Sequence, residues 1–92
     1  MSPDRVWRVE FLIEAARELR KLCPPAEKLI VRYLRQRIAV AEDPRRFGRP
    51  LTGDLKGFWR YRIGDYRIVA SIEDDRFIVL VVTVGHRREV YD

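Results

Sequence analysis

The sequence predicts an α+β domain ordered β-α-α-β-β-β, an antiparallel sheet with a helical hairpin packed on one of its faces. Three features predict it: period-two alternation at the start and again in the second half, helical spacing between them, and a two-residue turn signal at Gly64-Asp65. At 92 residues the chain has room for one compact domain, residues 1–92, built on one core.

From Val6 to Ile13 the pattern alternates, with Trp7, Val9, Phe11 and Ile13 on one side and Arg8 and Glu10 among those on the other, the period of a half-buried strand. Glu14 to Leu22 changes to helical spacing through Ala15, Ala16, Leu19 and Leu22. Pro24-Pro25 stops that helix, and Pro25 suits the first turn of the next, where a missing N–H costs nothing. The second helix is expected from Ala26 to Ala41, burying Leu29, Ile30, Tyr33, Leu34 and Ile38 and leaving Arg32, Arg35 and Arg37 to water, with Asp43-Pro44 marking its end. Residues 44–57 hold Pro44, Gly48, Pro50, Gly53 and Gly57 and read as a connecting loop anchored by Leu51 and Leu55.

Trp59–Ile63 alternates again, Gly64-Asp65 puts glycine first as a type II′ hairpin turn prefers, and Tyr66–Ile72 returns. Glu73-Asp74-Asp75 turns the chain into Phe77–Val84, whose nearly unbroken apolar run is that of a central strand. Gly85 is expected to end it, ahead of a short basic tail. There is no internal repeat and no low-complexity tract.

Nineteen Lys and Arg against fourteen Asp and Glu leave a net charge of +5, and Lys21, Lys28 and Lys56 are the only lysines. Arginine suits phosphate, because its planar fork makes bidentate hydrogen bonds and stays charged at any working pH. The same balance fits a merely soluble, charge-mixed surface. Cys23 and His86 are the only residues of their kinds, which excludes an intrachain disulfide and a zinc site of the usual Cys/His type; no metal or cofactor is expected. Asp4, Arg5, Arg8 and Glu10 interrupt the start, and no segment has the long apolar run of a membrane span, so a cytoplasmic protein with no membrane partner is expected.

The hairpin makes a geometric prediction. A two-residue turn at Gly64-Asp65 sets Ile63 opposite Tyr66, Arg62 opposite Arg67 and Tyr61 opposite Ile68. Arg60 then points the same way as Arg62, while Trp59, Tyr61, Ile63, Tyr66 and Ile68 fall on the core side. Like charges directly opposite on a sheet cost up to about 1 kcal/mol, so this arrangement invites an anion, with phosphate the obvious candidate. The alternative is the solvated outer face of an amphipathic hairpin; it is disfavoured because only Asp65, in the turn, supplies an acid nearby.

A second cluster, Gly85-His86-Arg87-Arg88-Glu89-Val90-Tyr91, puts an imidazole, two guanidinium groups and a phenol after a central strand. RNA cleavage needs the 2′-hydroxyl to lose its proton, the phosphorane to be stabilised and the 5′ oxygen to gain a proton. An imidazole is the side chain best suited to proton transfer near neutral pH, which makes His86 a candidate; Tyr91 serves if neighbouring arginines favour its ionised form, and Arg67 and Arg87 would neutralise transition-state charge. Taken alone the cluster is weak evidence, since a lone His is more often structural or solvent-exposed and a terminal Tyr more often packs against the core.

The run Leu51-Thr52-Gly53-Asp54-Leu55-Lys56-Gly57-Phe58-Trp59-Arg60-Tyr61-Arg62-Ile63-Gly64-Asp65-Tyr66-Arg67, with Val84-Gly85-His86-Arg87-Arg88-Glu89-Val90-Tyr91, closely resembles the RelE family of toxins of type II toxin-antitoxin systems. The order of elements agrees, and the resemblance spans nearly the whole chain, most specifically its second half. It implies a RelE-like toxin domain and a ribosome-dependent endoribonuclease that cuts messenger RNA in the A site. By the same resemblance, Arg60 and Arg62 match basic residues on the concave sheet face, and Arg67 matches an arginine beside the scissile phosphate. Arg87 and Tyr91 match an acid-like arginine and a base-like tyrosine, His86 stands where some members have lysine, and Lys56 and Arg88 join the RNA contacts. Ala70 stands where relatives often have tyrosine, a departure expected to alter substrate stacking, and ending at Asp92 without the terminal helix of some members is expected to leave the active face more open.

The resemblance also implies partners: the ribosome with its message, and a cognate antitoxin whose extended, acidic and amphipathic segment would wrap a basic domain. DNA would be reached only through the antitoxin. Two other functions compete. ParE toxins share the architecture and poison DNA gyrase, but tend to lack the run seen here as Arg88 to Tyr91. A non-enzymatic module binding RNA or an acidic protein would use the arginines only for positioning.

Overall fold

A computed structural model describes residues 6–86. The chain begins with strand β1 (Arg8–Phe11), followed by helix α1 (Ile13–Arg20) and helix α2 (Pro24–Tyr33). Helix α1 buries Ala15 and Leu19; α2, with both prolines in its first turn, buries Ala26 and Ile30. The helical path continues through Leu34–Ile38 in a wide turn closed by Ala39 N–H donating to the Leu34 carbonyl at 2.8 Å. This i to i+5 spacing keeps both Leu34 and Ile38 inward.

Pro44–Phe47 forms one tight turn, capped where Asp43 Oδ1 accepts from the Arg45 backbone N–H at 2.9 Å. Strand β2 (Arg49–Pro50) follows, then a short turn at Gly53–Leu55, then β3 (Trp59–Ile63), β4 (Tyr66–Glu73) and β5 (Ile78–His86). The five strands lie in the order β1-β5-β4-β3-β2.

The sheet is mixed, which corrects the antiparallel expectation. Strand β1 runs parallel to β5, with Arg8 opposite Ile78 and Phe11 opposite Val81, while the other pairings are antiparallel. The helical hairpin carries the chain across the sheet, so β1 meets the last strand rather than the next one. Alternation within a strand reports its two faces and not the direction of its neighbour.

Tyr61, Ile63, Ile68, Ala70, Val79, Val81 and Val84 line the inner face and pack on Ala15, Leu19, Ile30, Leu34 and Ile38. Trp7 closes one end against Phe77, their ring centroids 4.8 Å apart. Several details differ from expectation. Ile13 opens α1 and is 69% exposed instead of ending the strand; Leu29 is exposed; and the helical path ends at Ile38, ahead of Ala41. Gly85 does not end β5 but pairs with Arg67, and the strand runs on to His86.

Candidate nucleic-acid interface

The hairpin has the predicted register, with Ile63 opposite Tyr66, Arg62 opposite Arg67 and Tyr61 opposite Ile68. Gly64 has φ +60° while Asp65 does not have a positive φ, so within the turn only the first central residue takes the positive-φ conformation, as a type II′ turn requires. Directly opposed residues share a face, which puts Arg62 and Arg67 together on the face away from the helices. Strand β2 adds a second pair, because Arg49 lies opposite Arg60. Four guanidinium groups thus stand on one face in two cross-strand pairs.

Their exposure is graded. Arg49 and Arg62 are exposed, Arg60 is half-buried, and Arg67 is only 9% exposed. Arg67 was expected on an open surface; instead it sits in β4 between two strands, opposite Arg62 on one side and Gly85 on the other. A concavity of about 240 Å³ is lined by Phe47, Arg49, Arg60 and Arg62. A larger one, of about 540 Å³, runs along the outer side of α2 past Glu27, Lys28, Val31 and Arg35; it mixes charges along one helix, and we place the site at the smaller, where cations converge.

Phe47 and Arg49 were missed by sequence reasoning. They fall in a stretch rich in Pro and Gly, where two residues of strand leave no periodic trace; Pro50, a residue tolerated on sheet edges, is the one signal consistent with β2. The segment is firmly tied. Tyr61 Oη donates to the Pro44 carbonyl at 2.7 Å in a buried hydrogen bond, and that burial pushes the phenol well above its ordinary pKa. Arg45 makes a two-pronged contact with Asp74, 3.0 Å at Oδ1, and lies 5.7 Å from the Trp59 ring. Hydrogen bonding from Arg45 holds the Asp74 carboxyl below the usual range.

Trp59 and Leu80, both assigned to the core by pattern, are half-buried. Ala70, the departure from tyrosine, is fully buried on the helix side, away from the arginine face. Lys56 is exposed in the turn before β3. His86 lies opposite Tyr66, their rings edge to face at 5.7 Å between centroids, and so on the helix side of the sheet from the register. The structure therefore brings Arg60, Arg62 and Arg67 together and sets His86 on the other face. Arg87, Arg88 and Tyr91 lie outside the described residues. Among the described residues no three or more His, Cys, Asp or Glu side chains gather to hold a metal, and no helix is long and apolar enough to cross a membrane.

The chain is thus an α+β protein with one helical layer on a mixed sheet and cations gathered on the sheet face away from the helices. The family model described as the ParE toxin of type II toxin-antitoxin systems, parDE, matches residues 9–91. Toxin RelE of Mycobacterium tuberculosis is 32% identical over 91 residues, covering 99% of this chain and 92% of its own length. Toxin RelG of the same organism is 32% identical over 85 residues, covering 92% and 95%. The crystal structure of the toxin-antitoxin complex RelBE2, also from Mycobacterium tuberculosis, superposes with a TM-score of 0.82 at 31% identity, over 92% of this chain and 98% of the other. The chain belongs to the RelE/ParE family of type II toxins, and its named relatives stand on the RelE side.

Proposed function

We propose that the chain is a ribosome-dependent endoribonuclease that cuts messenger RNA in the A site, restrained by a cognate antitoxin. The observation that carries this reading is the pair of cross-strand arginine pairs, Arg49 with Arg60 and Arg62 with Arg67, on the face the helices leave bare. Backbone phosphates relieve such repulsion, and phosphate contacts set register without reading bases.

In this reading the 2′ oxygen attacks the adjacent phosphorus while the bond to the 5′ oxygen breaks, leaving a 2′,3′-cyclic phosphate and a 5′-hydroxyl. Tyr91 takes the 2′-hydroxyl proton, Arg67 and Arg87 offset the charge of the phosphorane, and Arg87 returns a proton to the leaving 5′ oxygen. Arg60, Arg62, Arg88 and Lys56 hold flanking phosphates. His86, paired with Tyr66 on the helix side, supports the strand end in this scheme and ranks behind Tyr91 as base. Positioned charge takes the part that a divalent ion plays in other nucleases, so no metal is required. The antitoxin partner is supported by the Mycobacterium tuberculosis relative, whose structure is a toxin-antitoxin complex.

A primer-extension map of a reporter message in a reconstituted translation reaction tests the reading, with wild type beside Arg87→Ala. Cuts at the A-site codon that vanish in the variant are expected. Because the matching family model is that of ParE, a gyrase supercoiling assay runs alongside; an intact message with inhibited supercoiling would replace the nuclease with a gyrase poison.

A further inference from the structure

Phe47 is a large apolar side chain left 38% exposed at the rim of the arginine concavity. Guanidinium groups flank its ring, with Arg46 4.5 Å and Arg37 5.5 Å from its centroid, and Tyr33 meets it nearly edge-on at 6.3 Å. The turn that carries it is fixed by the Asp43 cap, the Tyr61 bond to Pro44 and the Arg45 contact with Asp74. Gly48 lets the segment lie directly on the sheet, since a Cβ there would meet Tyr61 Cε1 at 3.1 Å. The aromatic ring is therefore held in place next to Arg49, Arg60 and Arg62 rather than free to fold away.

We infer that Phe47 and Arg49 form an additional subsite for single-stranded RNA, beside the cluster proposed to act on the scissile phosphate. One base stacks against Phe47 and the guanidinium planes of Arg37 and Arg46, while Arg49 takes the neighbouring phosphate. An aromatic platform interleaved with arginines is how sequence-tolerant single-strand binding is built, since every base has a π face. The concavity, at about 240 Å³, suits one nucleotide rather than a folded RNA element. This subsite rests on the nuclease reading for its purpose, but it is tested without it.

The test is binding of a short, uncleavable 2′-O-methyl RNA to the full chain, followed by fluorescence anisotropy over a range of salt. Phe47→Leu keeps apolar volume and loses the π face; it is expected to weaken binding about five- to a hundred-fold. Arg49→Ala is expected to lower the log-log salt slope by about 0.7, one phosphate contact to a single strand. Phe47→Trp should retain affinity and show RNA-dependent quenching beyond that of wild-type Trp7 and Trp59, a readout that survives if Phe47→Leu folds poorly. Unchanged affinity and slope in folded variants, or no added quenching, would overturn the subsite. Equal wild-type affinity for a poly-glutamate peptide, lost in the same variants, would overturn it in favour of an acidic protein. A message left whole in the translation reaction would count against the nuclease reading alone, leaving the oligonucleotide result to stand.

Discussion

Glu18 Oε1 accepts a hydrogen bond from the backbone N–H of Val84 at 2.8 Å, joining α1 to the end of β5. Strand β1 stops at Phe11, whose partner is Val81, so beyond that point β5 has no strand on its outer side. A helix side chain takes the place of the missing strand and steadies the segment that leads to His86.

Glu18→Ala should therefore leave a partly buried N–H without its acceptor and cost about 1 to 3 kcal/mol. Urea denaturation checks the loss, and faster amide exchange at Val84 should accompany it. Glu18→Gln, which keeps a carbonyl oxygen at the same reach, is expected to recover most of the stability.

Arg62 and Arg67 face each other yet should respond differently to truncation. Arg62 is exposed, so Arg62→Ala should impair message cleavage while changing stability by less than about 0.5 kcal/mol, or raising it slightly as the like-charge contact goes. Arg67 is buried, and Arg67→Ala should also destabilise the fold, by about 1 to 3 kcal/mol. Melting curves of both variants beside the primer-extension map separate the two effects. Equal stability loss in both would contradict the burial difference.

Tyr61→Phe should cost about 1 kcal/mol by removing the donor to the Pro44 carbonyl. The phenol also sets an alkaline limit. Its pKa is raised in the folded chain, so its contribution to stability is complete below the unfolded value near about 10 and is lost as pH rises towards the folded value. A titration of stability from neutral to strongly alkaline pH should show that decline in wild type and a flatter curve in Tyr61→Phe.

Gly48→Ala should destabilise by about 1 to 3 kcal/mol, because the added methyl presses on the fully buried Tyr61 ring. The backbone there is extended, so the cause is space and not dihedral strain. Replacing Gly53, where a Cβ would meet nothing within 4 Å, is the control for crowding, with only its positive φ to oppose the change.

What was legible in the sequence followed from local rules. A two-residue turn fixes register, so Gly64-Asp65 placed Arg62 against Arg67, and alternation sorted Tyr61 and Ile63 from Arg60. Helical spacing found both helices but ran past Ile38, because Ala39 and Ala41 continue the apolar pattern after the wide turn has ended it. Pairing between β1 and β5 joins residues about seventy positions apart and leaves no local mark. Arg67 reads as a surface cation by type, and only its place in the middle of the sheet reveals burial. Phe47 and Arg49 acquire meaning through β2, whose two residues are too few for a pattern.

The pairing of β4 with β5 skips one residue: Val69 lies opposite Thr83 and Ala70 opposite Val81, leaving Val82 with no counterpart. That single surplus residue reverses parity along β5. It lets Val81 and Val84, three apart, both point at the helices, and it hands Gly85 to Arg67 and His86 to Tyr66. Deleting Val82 would remove the bulge and keep every partner, because Val81, Thr83, Val84, Gly85 and His86 already alternate between the two faces in step with β4. Which side of this protein its one histidine serves is thus decided by counting several residues upstream: were β5 to alternate strictly through Val82, the imidazole would fall on the arginine side and Gly85 on the helix side.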